Sequence, residues 1–412
     1  MKITHIHIER FRGFQNEDFE VGSLLTAIAG QNGTQKSTLL GIITQTFTLK
    51  TEDSMRVEKP LCGGSYISAF KDKFRLSPTF DKPKGHEWTI SFDAGMDDFT
   101  VESIKRTGDP NVRFWKKGAR QEGDGYISFP TIFLSLKRLV PVAEEAKIIT
   151  DDTLLTQEEL NEFKQLHNKI LIAQTPISSA TTITSKNKQS IGVSTELYDW
   201  NQNSMGQDNL GKIILALFSF KRLHDKYPRQ YKGGILAIDE MDATMYPASQ
   251  VELLKVLRKY ASKLNLQILF TTHSMSLLKA MDDLVQEVTK KEETANQAKI
   301  LYLKKVDDKI AIKQGVNFKG IQLDLNVVAE GNNRKKNRIT AYTEDKENIL
   351  FVKAILKSKA FVLDFVDVTL PCSTLMELVT KRVPAFIYPY SIVILDGDVR
   401  MNKNDLRKIN NA

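Results

Sequence analysis

The chain has 412 residues, of which 41% are hydrophobic and 26% charged, and this globular usage excludes a disordered chain and a membrane protein. Its formal net charge of +8 favours polyanion partners such as DNA, although 58 basic against 50 acidic residues also suits an ordinary surface. The two cysteines, Cys62 and Cys372, lie far apart, so neither a disulfide framework nor a zinc site is indicated. A cytoplasmic location fits best, with no association with a membrane.

The first elements in chain order are short strands, which alternating or continuous apolar residues predict over 3–8, 19–21 and 24–29. The third strand leads into a glycine-containing loop at 30–38, and the apolar residues of 39–47 predict a helix. A strand, a loop and a helix in this order form the context that a phosphate-binding loop requires.

The loop itself carries the chemistry for binding a nucleotide. Its residues predicted to contact ATP are Gly30, Gln31, Asn32, Gly33, Thr34, Gln35, Lys36, Ser37 and Thr38. Lys36 would reach the β- and γ-phosphates, and the Ser37 hydroxyl would bind Mg²⁺. Gln35 replaces the second glycine of the usual pattern, which predicts a local backbone adjustment because positive φ is costly for most side chains. Alone, the loop leaves phosphate binding and an ordinary turn equally open.

Between this loop and the next motif, alternation predicts antiparallel strands over 87–92 and 99–106. Residues 156–171 predict a helix, and 176–194, rich in Thr, Ser and Lys, predict an exposed loop or ribbon. Heptad repeats are not sustained, so the sequence does not predict a long coiled coil.

Three further segments supply polar groups next to apolar elements. Ser204, Gly206 and Gln207 open an amphipathic helix over 210–223, where a hydroxyl and a helix N-terminus would bind phosphate. The strand 234–240 ends in Asp239, a predicted Mg²⁺ ligand, and Glu240, which would polarise the attacking water. The strand 266–274 ends near His273, which would contact the γ-phosphate.

In this order and spacing, the segments resemble the ABC/SMC/AAA-like ATPase family. The resemblance makes Lys36 part of Walker A, Ser204 part of the signature, and Asp239–Glu240 the end of Walker B, with a D-loop at 242–244 and a switch histidine, His273. It implies a catalytic role for Glu240 and His273, ATP and Mg²⁺ as cofactors, and a head-to-head dimer or higher oligomer. A glutamine for the family's Q-loop is not recognisable in the region 127–142.

The C-terminal part predicts a smaller domain. Basic residues mark a linker at 331–338, after which strands over 339–344, 361–368 and 391–396 alternate with helices, as in a parallel α/β sheet. The helices are predicted over 346–358 and 373–381. The predicted fold class is therefore α/β. The resemblance implies an ABC-type head with a mixed sheet, a β-lobe and a helical lobe over 1–330, and the alternation predicts a small parallel α/β domain over 339–412.

Acidic residues follow the strands of this second domain, as in a TOPRIM domain. Glu344, Asp396 and Asp398 would together hold Mg²⁺ for phosphodiester chemistry. The chain ends at Ala412 before a TOPRIM fold would be complete, so the domain is expected to be cut short or degenerate.

An ATPase head followed by such a domain is similar to OLD-family nucleases and to PtuA-like subunits of Septu-type anti-phage systems. The resemblance implies an ATPase subunit that controls a partner HNH-type nuclease. A self-contained ATP-dependent DNA nuclease and a DNA-repair type ABC ATPase are the alternatives.

Overall fold

A computed structural model describes residues 1–67, 73–93, 95–105, 112–119, 124–139, 148–151, 154–185, 189–329, 339–387, 391–397 and 399. The chain divides into two compact units, Met1–Leu323 and Asp324–Ala412. The basic linker predicted at 331–338 and the predicted metal ligand Asp398 lie outside the described residues. None of the helices among the described residues is long and apolar enough to cross a membrane.

The first unit contains a five-stranded sheet with the order β2-β1-β5-β6-β7, in which all neighbouring strands are antiparallel. Its strands are β1 (Ile3–Phe11), β2 (Phe14–Glu20), β5 (Glu87–Phe92), β6 (Phe99–Lys105) and β7 (Val112–Lys116). Alternate residues point into a core of aromatic rings, where Phe11 and Trp88 have centroids 5.7 Å apart. The antiparallel strands predicted over 87–92 and 99–106 are confirmed.

A six-stranded sheet with the order β16-β15-β3-β14-β13-β9 forms the centre of the unit. Its strands are β3 (Leu25–Gly30), β9 (Thr131–Leu134), β13 (Gly234–Ile238), β14 (Leu266–Thr272), β15 (Ala298–Val306) and β16 (Lys309–Lys313). All neighbours are parallel except β15 and β16. Fully buried parallel strands read as continuous apolar runs, which is the pattern of β13 and β14. The parallel arrangement brings the carboxyl ends of β3, β9, β13 and β14 to one edge of the sheet.

Helices cover this sheet and extend into a helical region. They are α1 (Lys36–Thr44), α2 (Gln157–Leu171), α3 (Met205–Lys226), α4 (Pro247–Lys263) and α5 (Met275–Val288). A further helix, α6 (Phe318–Ala329), runs across residue 323, where the two units divide. The helix predicted over 39–47 begins earlier and ends at Thr44, because Phe47 and Thr48 form β4, paired with β8 (Ile127–Ser128).

A small antiparallel sheet contains most of the segment 176–194, which was predicted to be an exposed loop or ribbon. It consists of β10 (Ile149–Asp151), β11 (Ser179–Thr184) and β12 (Gln189–Ser194). The prediction of a ribbon is confirmed. Its expected exposure is wrong for β12, where five of the six residues are buried, whereas Ser178 and Ser179 are exposed. The backbone of β12 lies close to α3, where a Cβ on Gly211 would be 3.0 Å from the carbonyl oxygen of Ile191.

The second unit contains a three-stranded parallel sheet with the order β18-β17-β19. Its strands are β17 (Ile339–Thr343), β18 (Leu363–Phe365) and β19 (Ser391–Ile394), and its helices are α7 (Lys346–Leu356) and α8 (Cys372–Thr380). The strand predicted to begin at residue 361 begins at Leu363, because 357–362 form a 3-10 helix. The parallel α/β arrangement is as predicted, whereas the TOPRIM identity stays a prediction.

Candidate nucleotide-binding site

The loop between β3 and α1 adopts a backbone that requires glycine at its first position. Gly30 has φ of +151°, and a Cβ there would lie 2.4 Å from the carbonyl oxygen of Leu303. Asn32 and Gly33 are exposed, and the Thr34 hydroxyl donates to the carbonyl oxygen of Gln31 at 2.8 Å. The loop is therefore closed on itself, with its tip open to solvent.

Gln35 adopts the left-handed conformation in which a Walker A loop usually has glycine. Its φ and ψ are 61° and 34°, and it is the N-cap residue of α1. The predicted backbone adjustment is not what the structure shows, since Gln35 itself takes the positive φ. Because the Gln35 side chain does not cap α1, the backbone N–H groups of the first helical turn remain directed at the loop.

Lys36, the first residue of α1, is only 7% exposed. Its Nζ donates to the carbonyl oxygens of Gly30, at 3.0 Å, and Gln31, at 2.9 Å. Burial lowers the pKa of Lys36, while the carboxylates of Glu240, Asp239 and Asp242 act in the opposite direction. The ammonium group therefore lies between the phosphate loop and a cluster of acids.

Ser37 and Asp239 are brought together from distant parts of the sequence. The Ser37 hydroxyl donates to Asp239 Oδ1 at 2.8 Å, and the Thr271 hydroxyl donates to the same oxygen at 2.7 Å. Asp239 is 5% exposed. A hydroxyl and a carboxylate are oxygen ligands of the kind that Mg²⁺ prefers, so the residues present fit a Mg²⁺ ion bound together with phosphate. Thr271 was not predicted, because a Thr within an apolar strand carries no recognisable motif.

Glu240 follows in a turn at the end of β13. It has φ of 49°, and its backbone N–H donates to the Thr271 hydroxyl at 2.6 Å. A non-glycine residue with positive φ is strained and persists only where its surroundings hold it. Here the surroundings include Arg138, which donates to the Glu240 carbonyl oxygen at 2.8 Å. Arg138 is a second residue of this site that the sequence did not reveal.

His273 lies just beyond β14, the strand between β3 and β13, and so at the same edge of the sheet as the loop and the acids. Its side chain is exposed. Partial desolvation of the ring and the charge of Lys36 lower its pKa, against the effect of the nearby carboxylates. The imidazole is therefore predominantly neutral at pH 7.

The signature residues form a separate part of the site. Ser204 is the N-cap of α3 and forms a capping box with Gln207, whose Nε2 also donates to the Tyr198 hydroxyl at 2.7 Å. A Cβ on Gly206 would be 2.5 Å from the carbonyl oxygen of Thr244 in the chain's own D-loop. Within the described part of the chain, the side-chain hydrogen bonds of Ser204 and Gln207 are with each other's backbone and with Tyr198, and none is with the 30–38 loop.

One known protein family matches part of the chain. Residues 135–278 match the family model described as an AAA ATPase domain, a segment that contains the signature, Asp239, Glu240 and His273. The match supports an ATPase of the AAA type. No curated protein matches the chain significantly.

Solved structures similar to the chain include heads of SMC proteins. The SMC head domain from Thermotoga maritima has 14% identity and a TM-score of 0.42 over 77% of this chain and 100% of its own. An Smc head bound to the C-terminal winged-helix domain of ScpA has 14% identity and a TM-score of 0.44, with coverage of 78% and 100%. The Smc head with an extended coiled coil, bound to the C-terminal domain of ScpA derived from Pyrococcus furiosus, has 12% identity and a TM-score of 0.43. The match covers 80% of this chain and 99% of that chain. Because these TM-scores are below 0.5, the description of the fold depends on the strand order and pairing given above and not on these similarities.

Proposed function

We propose that the chain binds Mg²⁺-ATP in the 30–38 loop and hydrolyses it. The observation that carries the proposal is the hydrogen bond between Ser37 and Asp239, because it joins the phosphate loop to the acidic end of β13. In an ATPase of the AAA type, these are the positions from which a hydroxyl and a carboxylate would hold the metal.

Each residue of the site has a distinct role in this proposal. The N–H groups of the loop and the first turn of α1 bind the phosphates, and Lys36 neutralises their charge. The Mg²⁺ ion supplies further charge neutralisation at the phosphate oxygens when bound. Glu240 accepts a hydrogen bond from the attacking water and orients it, and neutral His273 lies where it would contact the γ-phosphate.

The site is proposed to be completed by a second copy of the chain. Among the described residues, the signature side chains make no hydrogen bond to their own phosphate loop, and they lie at the N-terminus of α3, a position that favours an anion. A head-to-head dimer would place the signature of one copy over the nucleotide of its partner. ATP would then stabilise the dimer, because a ligand that binds only the associated form shifts the equilibrium towards it.

Two substitutions test the ATPase proposal. Lys36→Ala should abolish ATP binding, whereas Glu240→Gln should bind ATP normally and lose at least about 100-fold in turnover, as expected when a water-orienting carboxylate is removed. Exposed residues of matching type, in the variants Lys290→Ala and Glu292→Gln, serve as controls. Normal hydrolysis by both Lys36→Ala and Glu240→Gln would refute the site.

The dimer is tested on the same Glu240→Gln variant. Light scattering after gel filtration should show a monomer without nucleotide and a dimer in saturating Mg²⁺-ATP. A strictly monomeric variant in ATP would contradict the proposed closure.

The biological role that we propose is control of a partner nuclease in anti-phage defence, based on the resemblance of the motifs to PtuA-like subunits. Purification with an HNH-type subunit, with and without ATP, tests it. A stable complex that cleaves DNA only with both subunits is expected. Cleavage that is independent of the ATPase site would contradict the role.

A self-contained nuclease remains a second candidate because of one feature of the second unit. Glu344 and Asp396 follow β17 and β19, which are adjacent parallel strands paired through Thr343 and Ile394. Both carboxylates therefore lie at the same end of the sheet. Among the described residues, no group of three metal-binding side chains is placed to hold an ion, and Asp398 lies outside them. Plasmid cleavage by the chain alone with Mg²⁺ or Mn²⁺, lost in Asp396→Ala, would favour this candidate.

A further inference from the structure

Arg138 is a buried cation that has no role in the mechanism above. It is 2% exposed and lies in a 3-10 turn, Leu136–Leu139, just after β9. The guanidinium donates from Nη1 to the carbonyl oxygens of Leu134, at 3.2 Å, and Ser135, at 3.1 Å. These bonds fix the guanidinium to the carboxyl end of β9.

The remaining hydrogen bonds of Arg138 reach two other elements. Its Nη2 donates to the carbonyl oxygen of Glu240 at 2.8 Å, and its Nε donates to Asn209 Oδ1 at 2.7 Å. Within the described part of the chain, the acceptors of this guanidinium are thus one amide and three backbone carbonyls. Burying a cation costs several kcal/mol, which these hydrogen bonds and the nearby carboxylates offset.

Asn209 extends the connection to the D-loop. It lies in the second turn of α3, is 0% exposed, and its Nδ2 donates to the carbonyl oxygen of Ala243 at 2.9 Å. Both polar atoms of its amide are therefore used, one for Arg138 and one for the D-loop. The signature helix, the end of β9 and the turn that carries Glu240 meet at this pair of side chains.

The charge of Arg138 is retained in this environment. Burial lowers its pKa to about 10, and the carboxylates of Asp239, Glu240 and Asp242 act in the opposite direction. The guanidinium is consequently protonated at pH 7. It holds the Glu240 backbone in its positive-φ turn while offering positive charge to the acidic cluster.

We propose that Arg138 and Asn209 are positioning residues that couple the signature helix to Glu240 within the same chain. This inference rests on the proposed ATPase function. When α3 shifts as the signature closes over a partner's nucleotide, Asn209 moves with it and transmits the shift through Ala243 and Arg138 to the turn bearing Glu240. ATP binding by the 30–38 loop does not depend on this linkage, but hydrolysis does.

Three substitutions separate this role from a purely structural one. Arg138→Met removes the charge and all of the hydrogen bonds, whereas Arg138→Lys keeps the charge but cannot reproduce the forked geometry. Asn209→Asp retains an acceptor for Arg138 but cannot donate to Ala243. The control is Arg222→Met on the same helix, since Arg222 donates from Nε at 2.8 Å and Nη2 at 2.6 Å to Glu159, away from the turn.

For each variant, the Kd of a fluorescent ATP analogue, the kcat of ATP hydrolysis and the Tm are measured. We expect kcat to fall at least about tenfold in Arg138→Met and in Asn209→Asp, because a tenfold change corresponds to the loss of one strong hydrogen bond. The Kd should stay within about twofold of the wild-type value. Arg138→Lys should have an intermediate kcat. Arg222→Met should lower Tm and leave kcat unchanged.

The outcomes distinguish this inference from the proposed function. If the wild-type chain hydrolyses ATP and both Arg138→Met and Asn209→Asp do so equally fast, the inference is overturned while the ATPase proposal stands. Equal losses in Kd and kcat would also overturn it. Absence of hydrolysis in the wild type refutes the proposed function and the inference together. If Arg138→Met does not fold, the other two variants test the inference. Asn209→Asp is nearly isosteric with the wild-type side chain, and Arg138→Lys keeps the positive charge.

Discussion

Replacement of Gln35 by glycine should stabilise the chain, which is unusual for a substitution in a nucleotide-binding loop. Gln35 has φ of 61°, a conformation that costs a non-glycine residue about 1 to 2 kcal/mol. In addition, its side-chain oxygen Oε1 is buried without a hydrogen-bond partner among the described residues, and such a group destabilises by about 1 to 3 kcal/mol. Glycine removes both costs.

The gain is reduced by the greater freedom of glycine in the unfolded chain, which opposes it by about 0.5 to 1 kcal/mol. The net increase in the free energy of unfolding is therefore expected to be about 1 to 4.5 kcal/mol for Gln35→Gly. Urea denaturation, followed by circular dichroism, measures it from the shift in midpoint at constant slope.

Gln35→Ala is the matched variant, because it also removes the unpartnered amide but keeps a Cβ. Glycine should exceed alanine by about 1 kcal/mol, the difference due to the left-handed backbone alone. If the two variants are equally stable, or if both are less stable than wild type, the reasoning about this turn is wrong. ATP affinity of Gln35→Gly should be retained, since the contacts to phosphate come from the backbone.

Two further predictions concern a buried histidine and the signature glycine. Burial lowers the pKa of His167 to about 4 from 6.5, so His167 favours the folded state fully above pH 6.5 and loses about 3 kcal/mol of that contribution as the pH falls to about 4. His167→Leu should flatten the pH dependence of unfolding across this window; parallel curves for His167→Leu and wild type would contradict the assignment. Gly206→Ala should place a methyl group 2.5 Å from the Thr244 carbonyl oxygen and displace the D-loop. We expect the kcat of ATP hydrolysis to fall and the Tm to decrease by several degrees. Unchanged values of both quantities would show that the loop adapts without cost.

The sequence predicted the elements whose signals are local. The strand over 87–92 matches the structure residue for residue, and the helix predicted from residue 156 begins at Gln157 with Thr156 as its cap. Both have clear periodicity, and the second has a capping box with Glu159. The strand predicted over 361–368 was less accurate, because a 3-10 helix at 357–362 occupies its beginning.

The exposure of 176–194 could not be predicted from composition. Its Thr and Ser residues are typical of loops, but β12 is buried beside α3, where Gly211 allows close approach of the backbones. Whether a polar strand is buried depends on which element packs against it, and the strand's own composition does not contain that information.

The candidate site shows the same division. By itself, the sequence determined which residue types are present and in which order: a loop ending in Lys36 and Ser37, an acidic pair at 239–240, and His273 after a third strand. Short-range spacing and apolar periodicity are sufficient for these, because they report local backbone geometry.

Only the tertiary structure decided how the residues act together. The parallel order of β3, β14, β13 and β9 brings Ser37 to Asp239, and it brings Thr271 and Arg138 to the turn of Glu240. Neither Thr271 nor Arg138 has a sequence signal, since each acts through hydrogen bonds to groups more than 30 residues away. Such contacts depend on strand order and register, which the cooperative packing of the whole sheet determines.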